Sequence, residues 1–364
     1  MRILILANND GGLYQFRREL IERLVIEHEV ICCVPKSDGF IERLEALGTK
    51  CIIVDLNRRS TNPIDDFKLY STYVKIIKDT KPDIVLTYTI KPNAYGGMAC
   101  QQKKVPYIAN VTGLGTSIEN GGLLCRISLS LYKKGMRKAK CVFFQNEQNM
   151  KMFKEKKIVR GFARLIPGSG VNTSNFTYEN YPEDKDLFHF LFVGRIMKDK
   201  GIEELLSAIE ILSKEGKKVF LDVVGGCDED YSKMICHYEK QGLIKYYGEQ
   251  KDVHSFYSNA QCVVLPSYHE GMANVLLESA STGRPIIATR IPGCQEIFEE
   301  GVTGLGCDVR DIESLKNAMD RMYMTSWEDR KKMGVAGREK VRREFERSII
   351  VNAYIEEIKQ VETY

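Results

Sequence analysis

The sequence lacks the patterns that mark membrane-spanning, secreted and disulfide-bonded proteins. No apolar run approaches the roughly 20 residues that a membrane span needs, and residues 1–7 are too short for the apolar core of a signal peptide. The 11 cysteines are odd in number, scattered and without a Cys-x-x-Cys pair, which favours buried reduced thiols over disulfides or a zinc site. These absences predict a cytoplasmic protein.

Patterns of metal ligands are also scarce. The sequence has no HExxH motif, and the acidic triplet Asp228-Glu229-Asp230 falls where acidic residues commonly cap a helix. We therefore predict a protein that uses neither a metal ion nor another cofactor.

The order of apolar segments predicts two domains of the α/β class. At 364 residues the chain is longer than one hydrophobic core usually supports. Short apolar segments alternate with helical patterns, which indicates parallel βαβ units. We predict domains over residues 1–170 and 186–340, followed by a helix over 341–364. The predicted strands are 2–7, 29–34, 51–54, 83–88, 106–110, 141–144 and 163–166, then 188–193, 219–224, 244–247, 262–265, 285–288 and 305–307.

The net charge of +4 conceals an uneven distribution. Residues 1–180 carry 28 Lys and Arg against 17 Asp and Glu, whereas residues 181–364 carry 25 against 32. Between Gly122 and Lys140, cations alternate with apolar residues, which suits an anionic membrane surface or a ligand that carries a diphosphate. The alternative is an ordinary helix whose cations are solvated. We expect no nucleic-acid partner. The cations are Arg126, Lys133, Lys134, Arg137, Lys138 and Lys140.

The segment from Leu191 to Gly201 has the pattern of a diphosphate site. It reads as a buried strand, a turn at Gly194, and two cations, Arg195 and Lys200, before a helix. Positive charge at that end of a helix opposes the helix dipole unless an anion binds there. The guanidinium offers a planar fork of donors and the ammonium a point charge, and both suit a phosphate that gains charge as it leaves.

A second motif places two carboxylates, Glu270 and Glu278, eight residues apart around a glycine turn and a helix start. That spacing is a little over two helical turns, so both can face one side. The backbone N–H groups at the helix start suit phosphate or hydroxyl oxygens. The residues predicted to offer such contacts are Gly271, Met272, Ala273, Asn274 and Val275.

These motifs resemble glycosyltransferase family 4, which implies the GT-B fold: two Rossmann-like, doubly wound parallel-sheet domains facing a cleft. The resemblance also covers Gly283 to Ala288 and Gly301 to Leu305. It implies that the N-terminal domain is the acceptor side, that the C-terminal domain binds the nucleotide sugar, and that the helix over 341–364 crosses back to the N-terminal domain. In the N-terminal half, Tyr88 to Gly96 and Asn110 to Gly115 are similar to a bacterial subgroup that extends polyprenyl-diphosphate-linked oligosaccharides, including α-1,3-N-acetylgalactosaminyltransferases.

The resemblance implies a retaining transferase that moves a hexose or N-acetylhexosamine from a UDP-sugar to a lipid-linked saccharide at the inner face of the membrane. Arg195 and Lys200 would hold the diphosphate, Glu278 the ribose hydroxyls, and Glu270 the donor sugar near the developing positive charge. A GT-B epimerase or hydrolase and a non-catalytic sugar-nucleotide-binding subunit are the alternatives.

Candidate contacts in the N-terminal half are less defined. The loop Asn8 to Gly12 is not a GxGxxG motif, and Gly12 either admits a donor phosphate or serves a tight turn. Lys91 and Asn93 follow a predicted strand and either bind acceptor phosphate or sugar or, for Asn93, cap a helix.

Histidine usage departs from the family. Many members have a histidine after the strand that ends here near Asn110, where this chain has Val-Thr-Gly. Thr112 or the backbone of Gly113 and Gly115 is the expected substitute. His269, beside Glu270, is either a site residue or a packed loop residue.

Overall fold

The computed structural model describes residues 1–35, 39–56, 62–114, 122–184 and 186–362. The chain divides into two compact units. We call Met1–Ser169 with Arg347–Tyr364 the N-domain, and Gly170–Glu346 the C-domain. Residues 341–346 therefore belong to the C-domain, and the final helix starts later than the sequence predicts.

The N-domain contains a parallel sheet in the order β3-β2-β1-β4-β5-β6-β7. The chain runs outward from β1 in both directions, so β1 and β4 flank the point where the strand order reverses. The seven predicted strands are confirmed to within about one residue at either end. They are β1 Arg2–Leu6, β2 Glu29–Val34, β3 Lys50–Ile53, β4 Ile84–Tyr88, β5 Tyr107–Val111, β6 Cys141–Phe144 and β7 Phe162–Leu165.

Helices cover both faces of this sheet. Along β1, Leu4 and Leu6 enter the core on one face, and Ile3 and Ile5 enter the core on the other, because successive side chains of a strand alternate. The N-domain helices are α1 Asp10–Val25, α2 Ile41–Ala46, α3 Pro63–Thr80, a π-helix Pro92–Gly96, α4 Gly97–Lys103, α5 Gly122–Met136, α6 Glu147–Glu155 and α13 Arg347–Glu362.

The last helix, α13, completes one face of the N-domain. Ile350, Tyr354 and Ile358 are buried in the same core as Ile3 and Ile5. The Tyr354 hydroxyl accepts a hydrogen bond from Asn110 Nδ2 at 2.5 Å, at the end of β5. The N-domain core therefore depends on the C-terminal end of the chain.

The C-domain contains a parallel sheet in the order β10-β9-β8-β11-β12-β13. Its order reverses between β8 and β11, which pair directly. The six predicted strands are confirmed. They are β8 Phe188–Val193, β9 Val219–Val224, β10 Ile244–Tyr246, β11 Cys262–Leu265, β12 Ile286–Thr289 and β13 Gly304–Cys307.

Apolar faces of the C-domain helices share one core with this sheet. None of the helices in the part of the chain that the structure describes is both long and apolar enough to cross a bilayer. All 11 cysteines are free and most are buried, as their scattered positions predict. The C-domain helices are a 3₁₀ turn Lys198–Lys200, α7 Ile202–Lys214, α8 Ser232–Lys240, α9 His254–Asn259, α10 Asn274–Ser281, α11 Ile312–Met324 and α12 Trp327–Glu344.

Candidate functional site

The two predicted motifs meet at the carboxyl edge of the C-domain sheet. Gly194 and Arg195 follow β8, and the segment leading to Glu270 follows β11, its neighbour. Open α/β sheets bind ligands at this edge where the strand order reverses. The two loops are joined directly, because the backbone N–H of Tyr268 donates to the carbonyl of Asp199 at 2.8 Å.

Gly201 allows this close approach. Its φ is +70°, and a Cβ there would lie 2.2 Å from the carbonyl oxygen of Pro266. A side chain at this position would therefore be strained and would push the two loops apart. The glycine fixes the turn that carries Lys200 against the loop that carries Glu270.

Lys200 and Glu270 form an ion pair with 2.5 Å between Nζ and Oε1. Their side chains are 18% and 13% exposed, so the pair is largely but not fully withdrawn from solvent. The sequence predicts separate roles for these two residues and does not predict their contact. The pair places a cation and an anion at one point of the edge, which suits a ligand that combines diphosphate with sugar hydroxyls.

Arg195 is more accessible than Lys200, with 58% of its side chain exposed. Its guanidinium contacts Asp228 Oδ2 at 2.5 Å. The prediction that the acidic triplet lies at a helix start is correct for Asp230, whose Oδ1 accepts the backbone N–H of Ser232, the first residue of α8, at 3.2 Å. Asp228 lies four residues before α8 and does not cap it. The carboxylate of the neighbouring Glu229 accepts the backbone N–H of Lys198 at 3.1 Å. Asp228 and Glu229 therefore hold the cationic loop, whereas Asp230 bonds to the start of α8. Within the described ranges, no group of three His, Cys, Asp or Glu side chains is placed to hold a metal ion.

Glu278 lies in α10, half-buried, as the motif spacing predicts. Its Oε2 accepts a 2.8 Å hydrogen bond from the hydroxyl of Tyr257 in α9. This donor offsets the cost of placing a carboxylate in an apolar helix. Sequence reasoning missed Tyr257, because a tyrosine in a short amphipathic segment reads as an ordinary core residue.

Part of the backbone between Glu270 and Glu278 is hydrogen-bonded within the protein, which the sequence does not predict. The N–H of Ala273 donates to the carbonyl of Gly293 at 2.8 Å, so this group is not available to a ligand in this conformation. Met272 and Ala273 are buried, whereas Gly271 and Val275 are half-buried. The side-chain Oδ1 of Asn274, at the start of α10, is buried and has no hydrogen-bond partner in the part of the chain that the structure describes.

His269 lies in the same loop as Glu270. It is half-buried, and its ring is edge-on to that of Tyr268 with 6.5 Å between the centroids. The structure therefore fits both alternatives for His269, because it lies next to a candidate site residue and also packs within the loop.

Gly12 occupies a different place from the one predicted. Helix α1 begins at Asp10, so Gly12 lies in its first turn rather than in a loop. The Asn9 side chain caps the helix by accepting the backbone N–H of Gly12. This N–H is therefore satisfied within the helix.

Asn93 also lies in a different position from the one that the sequence predicts. It lies in the π-helix and is fully buried, where its Oδ1 accepts from Thr87 at 2.6 Å and its Nδ2 donates to the Asn110 carbonyl at 2.7 Å. It ties β4 to β5 and does not cap the helix. Lys91 instead pairs with Asp66 at 2.8 Å.

Thr112 and Gly113 directly follow β5 and are half-buried. They lie at the carboxyl edge of the N-domain sheet, next to the end of β4. Gly115, the third predicted contact in this loop, lies outside the described residues.

Helix α5 separates its apolar residues into two groups. Tyr132 and Met136, near its C-terminal end, are buried in the N-domain core. Leu123, Leu124 and Ile127, near its start, are 73%, 52% and 46% exposed. The cations listed above for this region are all exposed. The helix therefore presents an apolar end beside a row of positive charges.

The two doubly wound parallel sheets, one with a cation and two carboxylates at the reversal of its strand order, have the architecture of the GT-B fold. Residues 175–340 match the family model "Glycosyl transferases group 1", and residues 2–146 match "Glycosyl transferase 4-like". Together the matches span most of the chain. The chain belongs to glycosyltransferase family 4, as its motifs indicate.

Two bacterial relatives are similar in sequence. One is an N,N'-diacetylbacillosaminyl-diphospho-undecaprenol alpha-1,3-N-acetylgalactosaminyltransferase of Campylobacter jejuni, 27% identical over 86% of this chain and 87% of its own. The other is the capsular polysaccharide biosynthesis glycosyltransferase CapM of Staphylococcus aureus, 30% identical over 54% of each chain. Both relatives are named as glycosyltransferases.

Solved structures share the fold over the whole chain. Sucrose-phosphate synthase from Thermosynechococcus elongatus has a TM-score of 0.83 at 21% identity and covers 100% of this chain and 99% of its own. HepE of Anabaena, in complex with UDP and glucose, has a TM-score of 0.81 at 18% identity and covers 99% of this chain and 100% of its own. These neighbours confirm the predicted GT-B fold.

Proposed function

We propose that the protein is a retaining glycosyltransferase that transfers a hexose or N-acetylhexosamine from a UDP-sugar to a polyprenyl-diphosphate-linked saccharide. The observation that carries this proposal is the Lys200–Glu270 ion pair at the carboxyl edge of the C-domain sheet. Such a pair offers a cation to the diphosphate and a carboxylate to the sugar at adjacent points. Glu278, on the following helix, offers an acceptor for the ribose hydroxyls.

The donor proposal is supported by charge and by fold neighbours. Arg195 and Lys200 place two cations in one loop, and cations stabilise the charge that develops on a departing diphosphate. HepE of Anabaena, which shares the fold, was solved in complex with UDP and glucose. We therefore propose UDP as the nucleotide, held without a metal ion.

The acceptor proposal is supported by the Campylobacter relative, whose name states a diphospho-undecaprenol acceptor. The exposed cations of the α5 region fit the same class of ligand and an anionic membrane surface. The exposed Leu123, Leu124 and Ile127 offer apolar contacts to a bilayer. We propose that the enzyme docks on the inner face of the membrane through this helix.

The chemical step in this proposal needs no side-chain base. The bond between the anomeric carbon and the diphosphate oxygen breaks, and the acceptor hydroxyl forms the new glycosidic bond on the same face. The acceptor proton passes to the departing phosphate, which Arg195 and Lys200 hold. Glu270, as a carboxylate, stabilises the positive charge on the sugar.

The deciding experiment measures UDP release from a panel of UDP-sugars in the presence and absence of polyprenyl-diphosphate saccharides. We expect one donor to release UDP only when a lipid-linked acceptor is added, with a glycosylated lipid as the second product. UDP release without acceptor would indicate a hydrolase. No release with any pair, from protein that binds UDP, would indicate a non-catalytic subunit.

A further inference from the structure

The hydroxyl of Tyr257 has a fixed place beside Glu278. Tyr257 is fully buried, and its ring is edge-on to that of Phe176 with 6.0 Å between the centroids. Its hydroxyl donates to Glu278 Oε2 at 2.8 Å. A carboxylate can only accept hydrogen bonds, so the phenol must be the donor.

The backbone around Tyr257 is also held. The buried Arg284 donates from Nε to the Tyr257 carbonyl at 2.8 Å and from Nη2 to the Ser258 carbonyl at 3.2 Å. Burial lowers the pKa of Arg284 to about 10, and the side chain remains charged at neutral pH. Arg284, two residues before β12, therefore fixes the end of α9.

The Tyr257 phenol is protonated at neutral pH. Burial raises the pKa of Tyr257 well above its ordinary value, and the nearby negative charge of Glu278 raises it further. The Tyr257 hydroxyl is therefore a hydrogen-bond donor to Glu278 at neutral pH.

We infer that Tyr257 is a positioning residue, which holds the Glu278 carboxylate in the orientation that accepts hydrogen bonds from the ribose hydroxyls of the donor nucleotide. This inference rests on the proposed role of Glu278. A glutamate side chain has several rotatable bonds, and ordering it on binding costs affinity. A hydrogen bond made before the nucleotide arrives removes part of that cost.

The test compares two ligands, UDP and a dideoxy-UDP that lacks both ribose hydroxyls, by isothermal titration. Tyr257→Phe removes only the hydroxyl. We expect it to lower UDP affinity about 10-fold, the effect of one hydrogen bond to a charged group. Its affinity for dideoxy-UDP should stay within about twofold of that of the wild-type protein, because that ligand does not use Glu278.

Two further variants complete the design. Tyr238→Phe is the matched control, because Tyr238 also donates to a glutamate, Glu210, at 3.3 Å in the same domain. It should bind both ligands as the wild type does. In the Glu278→Ala background, adding Tyr257→Phe should cause no further loss of UDP affinity, because the two residues act as one unit.

Two results would overturn the inference alone: unchanged UDP affinity in Tyr257→Phe, or an equal loss for UDP and dideoxy-UDP, which would reveal general loosening of the site. In both cases Glu278→Ala would still abolish the preference for UDP over dideoxy-UDP. If the wild-type protein itself showed no such preference, the ribose role of Glu278 would fail, and the role of Tyr257 with it.

Discussion

Lys200 and Glu270 are 70 residues apart in the sequence, and their contact is the closest link between the two family motifs. Because the two opposite charges are in contact, each screens the other in the ligand-free site. A diphosphate would draw Lys200 toward itself and leave Glu270 as an acceptor for sugar hydroxyls. The pair thus keeps both groups close to their proposed positions.

Loss of either phosphate-binding cation should impair turnover. We expect Arg195→Ala and Lys200→Ala each to lower kcat/KM by about 30- to 1000-fold, because each removes a charge-assisted contact to the leaving group. Lys198→Ala is the matched control, since Lys198 lies in the same turn and is exposed, and it should stay within about twofold of wild type. Near-normal kinetics in both test variants would refute the assignment.

Substitutions at the two glutamates should have different effects on UDP binding and on turnover. We expect Glu278→Ala to weaken UDP binding, and Glu270→Gln to lower kcat while UDP affinity changes less, because we propose that Glu270 contacts the sugar and not the nucleotide. Isothermal titration with UDP and steady-state kinetics measure the two effects. An equal loss of UDP affinity in both variants would contradict this division of roles.

Among the secondary-structure elements, α5 combines structural and surface features. Its C-terminal half packs in the N-domain core through Tyr132 and Met136, so the helix cannot simply detach. Its first turns expose Leu123, Leu124 and Ile127. A helix anchored at one end and apolar at the other is suited to lie against a membrane surface.

Removing the cations of this region should weaken membrane binding. Each cation near an anionic surface contributes about 1 kcal/mol, and the contribution falls as salt shortens the Debye length. We therefore expect less sedimentation with anionic liposomes and slower glycosylation of a lipid-linked acceptor, with UDP affinity unchanged. The substitutions, to Gln, are at Arg126, Lys133, Lys134, Arg137 and Lys138.

The matched control for that experiment removes the same amount of charge from the C-domain. These control residues are exposed lysines far from the proposed docking helix in sequence, and their removal should leave liposome binding near wild type. Equal binding by the test variant and the wild type would show that the α5 cations are only solvated. The control positions are Lys218, Lys233, Lys240, Lys245 and Lys251.

Helix α13 should be essential to the stability of the N-domain. Tyr354 is 1% exposed, and its ring lies 4.5 Å from that of Phe143 between centroids. We expect Tyr354→Ala to destabilise the N-domain by about 3–5 kcal/mol through the cavity it leaves. Tyr354→Phe, which loses only the bond to Asn110, should cost about 1–2 kcal/mol. Urea unfolding measures both, and similar small losses would contradict a core role.

For the whole molecule, the proposed absence of a metal ion has a direct test. The cations Arg195 and Lys200 offer the diphosphate the stabilisation that Mg²⁺ supplies in other enzymes. We expect full glycosyl transfer in excess EDTA, measured as UDP release with a lipid-linked acceptor. Loss of activity that added Mg²⁺ or Mn²⁺ restores would overturn the metal-free proposal.

The sequence by itself determined the elements and the family. Strand positions follow from short apolar runs between glycines and charged residues, and such runs depend on local sequence. The motifs around Arg195 and Glu270 are also local, because a strand, a turn and a helix start specify each of them. Their position at the carboxyl edge of a parallel sheet follows from the βαβ pattern.

Only the tertiary structure decided which side chains meet. The ion pair of Lys200 with Glu270, the bond from Tyr257 to Glu278, and the burial of Asn93 all join residues from different strands or helices. Such contacts depend on the order of strands in the sheet and on helix packing, which periodicity does not encode. The sequence therefore predicted which kinds of group form the site, while the fold decided which of them are free to bind and which are held by a neighbour.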